Sequence, residues 1–116
     1  MSRVHSAVPS NTRPDGDVIL YPTEQEVRKL GCCICGMPAS AHHIIGCGDR
    51  GTGMKSKHII PLCPRHHNQG NYRESVHAGH EGWEDEHGRQ VDFVVRTREA
   101  LGYQALPLDS DGEPIL

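Results

Sequence analysis

The stretch HHIIGCGDRGTGMKSKHIIPLCPRHH, residues 42–67, decides how this chain folds. It opens on His42-His43, passes through His58, and closes on Cys63, His66 and His67. Histidine and cysteine give a small core little apolar area compared with leucine or isoleucine, so their density here argues for chemistry over packing. Ser40–Ile45 and Lys57–Leu62 read as two short strands, joined by a flexible, basic loop through Gly46, Gly48, Gly51 and Gly53. Pro64 suits the first position of a helix that carries His66 and His67 and that Gly70 ends early. Strand, loop, strand and helix make a ββα unit.

Just upstream lies CCICGMP, residues 32–38. Cys32-x-x-Cys35-Gly36 has the spacing of a zinc knuckle, in which two thiolates converge on one ion and a glycine lets the backbone curl beneath them. Alone, such a pair also suits redox chemistry. Cys63-Pro64-Arg65-His66 repeats the spacing, and the two halves together predict a Cys3His site for structural Zn2+ at Cys32, Cys35, Cys63 and His66. Composition explains the need for a staple. The chain has 116 residues, 35% of them apolar, with one Trp and one Phe, and so can build only a modest core. Five cysteines mixed with nine histidines fit zinc better than a disulfide framework. Cys33 and Cys47 are left over as unliganded thiols.

Residues 1–22 are rich in Pro, Ser, Asn, Asp and Gly and read as a flexible arm with one extended segment at Val18–Tyr21. Thr23 and Glu26 have capping-box spacing, which predicts a short helix stopped by Gly31. A second short helix ends at Gly88. A last one places Val91, Val94, Val95, Arg98 and Leu101 on one face before Gly102 and packs on the ββα unit. The expected fold is α+β, a zinc-stapled domain over 23–102 with its ββα core at about 32–70. Residues 103–116 form an acidic tail. With no apolar stretch long enough to span a bilayer and no apolar run of a signal peptide, the expectation is a soluble, cytoplasmic protein.

The net charge of −3 is unevenly spread: residues 49–73 carry +4 and residues 74–116 carry −7. The basic segment holds Arg50, Lys55, Lys57, Arg65 and Arg73 and coincides with the histidine cluster, where attraction of a nucleic-acid phosphate would be useful. Phosphodiester hydrolysis needs an activated water and a cation beside the phosphate. Adjacent strand residues point to opposite faces, so His42 and His43 take different roles, one on the metal and one as general base. His67 completes the metal site from the helix. His5, His77, His80 and His87 read as structural, and Gly70 argues against Asn71 sharing the helix face of His67.

The segments CCICG, AHHII, KHIIPLC and PRHH, in this order and spacing, resemble the HNH, or ββα-metal, endonucleases. The resemblance covers about residues 32–67 and implies a metal-dependent DNA endonuclease. It implies His42 as metal ligand, His43 as general base, His58 as the middle residue bracing the loop or His43, and His67 as the final ligand of a catalytic Mg2+ or Mn2+. The middle position holds His where Asn is commoner. Further on, PLCPRHHNQGNYRESVHAG leading into GWEDEHG is similar to phage nucleases of the recombination-enhancement type, which implies a phage origin, a link to DNA recombination and a RecA-like filament as partner. A rival of another class is a non-catalytic zinc-ribbon-like module that binds nucleic acid or protein; it accounts for the cysteines and leaves the adjacent His42-His43 unexplained.

Overall fold

The computed structural model describes residues 11–12, 18–46 and 56–116; the expectations for Cys47, Arg50, Lys55, Gly48, Gly51 and Gly53 lie outside the described residues. Thr23 starts the first helix. Its hydroxyl accepts from the Glu26 amide at 3.1 Å while its own amide donates to Glu26 Oε1 at 2.8 Å, the reciprocal box expected. Helix α1 runs Glu24–Lys29 and buries only Val27. Before it, β1 (Asn11–Thr12) and β2 (Val18–Ile19) form a minimal antiparallel pair.

Strands β3 (Ser40–His43) and β4 (Ile59–Leu62) form the antiparallel hairpin at the heart of a small α+β domain, with His42 opposite Ile60 and His43 opposite Ile59. β4 is buried along its whole length, as an unbroken apolar run should be. Its proline sits where no ladder bond is lost. Pro61 pairs across from Ala41 and turns its carbonyl outward to accept from Cys33 N at 2.9 Å, which pins the cysteine knuckle to the free edge of β4.

The segment after β4 departs from the expected α-helix. Pro64 enters with helical dihedrals, but Arg65–Gln69 forms a π-helical turn. A Cβ at Gly70 would collide with the Arg65 carbonyl oxygen, so the glycine permits the wide turn to close. A 3-10 turn (Val76–Ala78) and helices α2 (His80–His87) and α3 (Gln90–Ala100) follow. α3 does pack on the hairpin, through a stripe one residue away from that expected: Gln90, Phe93, Val94, Thr97 and Arg98 are buried, whereas Val91, Val95 and Leu101 are only half-buried. Phe93 drives the rotation, because its ring reaches the fully buried Trp83 at 5.6 Å between centroids. The core then unites Ile44, Ile60, Leu62, Val76, Trp83, Phe93 and Val94.

Residues 103–116 fold back on this core. Leu106 is buried within it, Leu116 packs against it, and Glu113 pairs with Arg89 at 2.7 Å. Buried Arg98 donates to two carbonyls, Gln104 O at 2.7 Å and Leu20 O at 2.8 Å, and so ties the segments before α1 and after α3 together. No helix among the described residues is long and apolar enough to cross a membrane.

Tyr103 makes a second tie, donating to Glu26 Oε1 at 2.7 Å. Burial first, and then the Glu26 carboxylate, push its hydroxyl up to about 12. An unfolded tyrosine ionises near 10. Between these values the unfolded chain has lost a proton that the folded one keeps, so this contribution is complete below pH 10 and falls as pH rises toward 12. Urea unfolding of the parent and Tyr103→Phe should show a stability gap at pH 9 that closes across that window. A gap independent of pH would contradict the assignment.

Candidate metal centres

Two clusters of metal-ligating side chains stand on opposite sides of the π-helical turn. The first brings together Cys32, Cys35, Cys63 and His66, the four residues expected as a zinc site. Cys35 Sγ lies 3.6 Å from Cys63 Sγ, and His66 Nδ1 lies 3.2 Å from Cys63 Sγ and 3.7 Å from Cys32 Sγ. Ligands of a tetrahedral zinc are about 3.8 Å apart for two sulphurs and about 3.5 Å apart for sulphur and nitrogen, so the donors already have nearly the separation the ion requires. The knuckle is built locally. Gly36 N donates to Cys32 O at 2.8 Å, Ile34 N donates to Cys32 Sγ at 3.4 Å, and Gly36 adopts φ +79°, where a side chain would be strained. Burial resists ionisation of Cys32, but N–H groups of Cys63, Cys35 and Ile34 outweigh it and lower the thiol below its ordinary value.

Cys33 behaves oppositely. Burial, then the neighbouring Cys32 charge, push it up to about 12, so it stays a neutral thiol packed against the core. His66 stacks edge-on against His87 at 5.4 Å, and His87 Nε2 donates to Arg73 O at 3.0 Å, which fixes that ring in turn.

The second cluster joins His42, His67 and His77, whose ligand atoms lie within 4.8 Å of one another. His42 and His67 meet as expected, with ring centroids 5.1 Å apart. His77, read from sequence as structural, is brought to them by the 3-10 turn, its Nε2 3.1 Å from His67 Nε2. Nitrogens on one tetrahedral ion are about 3.4 Å apart, so this spacing also fits shared ligation. Ser40 Oγ donates to Leu62 O and has its lone pairs left for His67 Nδ1–H, at 3.4 Å in each case, which turns the His67 Nε2 lone pair toward His77. Burial lowers His42 to about 4, with His67, His77 and His43 adding to the effect against the bond from Gln90, so the ring is a neutral donor at physiological pH.

His43 lies on the other face of β3, its side chain 28% exposed. Its Nδ1–H donates to Ser56 O at 2.8 Å, and its Nε2 lies 3.2 Å from Glu24 Oε2. His42, His43, His67 and His77 nevertheless line one cleft of about 310 Å³. His58 does not join them; it is buried with its ring 5.3 Å from Tyr21, and its amide donates to Ser56 Oγ at 3.0 Å, bracing the residue that holds His43.

Of the basic residues, Lys57 sits over the Tyr21 ring at 5.8 Å, Arg65 is bound by Glu74 at 2.7 Å, and Arg73 faces Glu86 at 3.9 Å. Both arginine pairs lie at the exposed surface.

Residues 24–102 match the family described as "Protein of unknown function (DUF968)". The chain belongs to that family. The DUF968 match begins with α1 and ends just past α3, so it contains both clusters. The uncharacterized protein YdfU of Escherichia coli (strain K12) is 37% identical over 73 residues, which are 60% of this chain and 19% of YdfU. The chain thus spans about a fifth of that relative's length. No solved structure matches it.

Sequence reasoning missed His77 and Gln90. No helical or strand period carries His77 back across Gly70 to His67, and a glutamine at a helix start ordinarily reads as solvated. For the first the signals were the number of histidines and its place in the stretch similar to the phage nucleases; the second left none.

Packing and ligation make opposite forecasts for two cysteines. Cys35 is exposed and Cys33 half-buried, so packing alone ranks Cys33 as the costlier loss. Ligation reverses the order: Cys35→Ser should release zinc and cost on the order of 4 kcal/mol or more, against about 1 kcal/mol for Cys33→Ser. Zinc content and thermal melting of the two variants decide between them.

Proposed function

We propose that this DUF968 chain is a ββα-metal (HNH-type) DNA endonuclease, with the Cys3His cluster as its zinc staple and the three-histidine cluster holding the divalent ion that works on the phosphate. The observation that carries the reading is the placement of His43. Its Nδ1–H is held by the Ser56 carbonyl, so once Nε2 has given up Glu24 Oε2, 3.2 Å away, and the proton between them, the ring offers its lone pair at Nε2, and His43 lines the same cleft as His42, His67 and His77. A base fixed in its tautomer beside a site for positive charge is what phosphodiester hydrolysis requires.

In the proposed step a phosphodiester enters the cleft and a water lies between it and His43. The negative charge of the phosphodiester displaces the exposed Glu24 carboxylate, and with the proton between them lost to solvent Nε2 is free to act as base. His43 Nε2 takes the proton of the water, and the Ser56 carbonyl keeps the imidazolium oriented. When bound, a divalent ion supplies positive charge to the phosphate oxygens and the leaving oxygen. The proposed setting is DNA recombination in a phage, with a RecA-like filament as an accessory partner.

Plasmid cleavage by the full chain, with Mg2+, Mn2+, Zn2+ or Co2+, with and without chelator and with and without a recombinase filament, tests the reading. His43→Ala should lower cleavage by at least about 100-fold with folding and zinc content intact. Equal cutting by His43→Ala would overturn the mechanism, and an intact plasmid under every condition would favour a binding module.

A further inference from the structure

Gln90 is a fully buried amide at the first position of α3, far in sequence from any ligand, yet its side chain touches the three-histidine cluster. Its Oε1 lies 2.9 Å from His42 Nε2 and accepts from Ile45 N at 3.1 Å. Its Nε2 donates to Ile45 O at 2.7 Å and to Glu84 Oε2 at 3.3 Å, and its backbone N donates to Glu84 Oε2 at 2.8 Å. The amide orientation follows from these partners. Exchanging oxygen and nitrogen would set donor against donor at Ile45 N and acceptor against acceptor at Ile45 O.

An oxygen in that position can only accept, so the His42 nitrogen facing it carries the hydrogen. The other tautomer would oppose two lone pairs between side chains that are 1% and 0% exposed, the full cost of burying unpaired acceptors. His42 Nδ1 is then the lone pair left for an ion. We infer that Gln90 is a positioning residue: it fixes His42 in the Nε2–H tautomer so that Nδ1 completes, with His67 and His77, a neutral three-imidazole site for a borderline first-row transition ion such as Zn2+ or Co2+.

The donor set carries the choice of ion. Imidazole nitrogen suits Zn2+, Co2+ and Ni2+, whereas Mg2+ takes oxygen ligands and sheds water reluctantly. Of the ions expected from the sequence, Mg2+ is therefore a poor match to the protein side of this site. Glu84 extends the chain of contacts from carboxylate to amide to imidazole, the arrangement by which outer partners commonly orient metal-binding histidines. The inference rests on the ion-binding half of the proposed function and not on cleavage.

The test uses the full chain with zinc in the staple, so that added Co2+ reports on the imidazole site by visible absorption without a thiolate charge-transfer band. Nitrogen-15 NMR of the cobalt-free protein should show His42 as the Nε2–H tautomer; an Nδ1–H tautomer overturns the inference without any variant. Gln90→Leu should weaken Co2+ binding about 10–100-fold while staple zinc is retained. His77→Ala should weaken binding as Gln90→Leu does. Unchanged Co2+ affinity in Gln90→Leu or in His77→Ala overturns the inference, as does Mg2+ competing with Co2+ on equal terms. If Gln90→Leu loses its staple zinc and so fails to fold, the parent tautomer and the His77→Ala titration decide. Co2+ binding that depends on Gln90 in a protein that leaves plasmid intact supports this inference and removes only the nuclease reading.

Discussion

Two adjacent imidazoles serve two different clusters, and the turn that separates them governs the rest of the molecule. His66 faces three thiols and His67 faces two other histidines, although one peptide bond joins them. Successive residues of a helical turn point in different directions, so the turn of Arg65–Gln69 sends the two rings apart, and Gly70 lets that turn close. Whatever holds His66 therefore also sets the direction of His67. Zinc in a structural site contributes folding free energy, so zinc held by the Cys3His cluster, the closed one, would position the three-histidine cluster, the open one, as well as stapling the knuckle to β4.

The open cluster receives its other support from the helices. His42 is aimed by Gln90, which caps no helix itself and is held by Glu84 of α2. The α2–α3 pair also carries Trp83 and Phe93, the largest rings of the core, and His87, which stacks on both Trp83 and His66. Hydrophobic packing of these helices thus determines the geometry at both clusters. A core mutation at Phe93 would be felt at His42 through Gln90 before it reached any ligand directly.

Local rules made the closed cluster and the hairpin legible, because ligand spacing, capping chemistry and strand alternation act over a few residues. Thr23 and Glu26, Cys32 and Cys35, and Cys63 and His66 each declare themselves within four positions. The rotation of α3 was not legible, because the valines at 91 and 95 satisfy the helical period as well as Phe93 does, and only the Trp83 ring decides between them. His77 and Gln90 were hidden for a related reason: each acts across a turn or a helix packing that no short-range pattern encodes. Charge alone nominates Arg65 and Arg73 as phosphate contacts, and it does not show the acidic neighbour that each has in the fold. Charge runs report composition; partner choice is a property of the folded surface.

The difference in donor chemistry between the clusters bears on why both exist. Three thiolates outweigh the charge of a divalent ion, so a filled Cys3His cluster is negative overall and repels a phosphate. Three neutral imidazoles leave the charge of an ion uncompensated, and burial keeps His42 neutral. An all-thiolate site could staple the fold but not attract an anion, and an all-imidazole site could attract an anion but would bind its ion less tightly as a staple. On the proposed reading, one of each on either side of a single turn would let a zinc-filled Cys3His cluster fix the backbone and an ion on the imidazoles present charge to the cleft that His43 lines. His66 and His67 are the residues at which these two requirements meet.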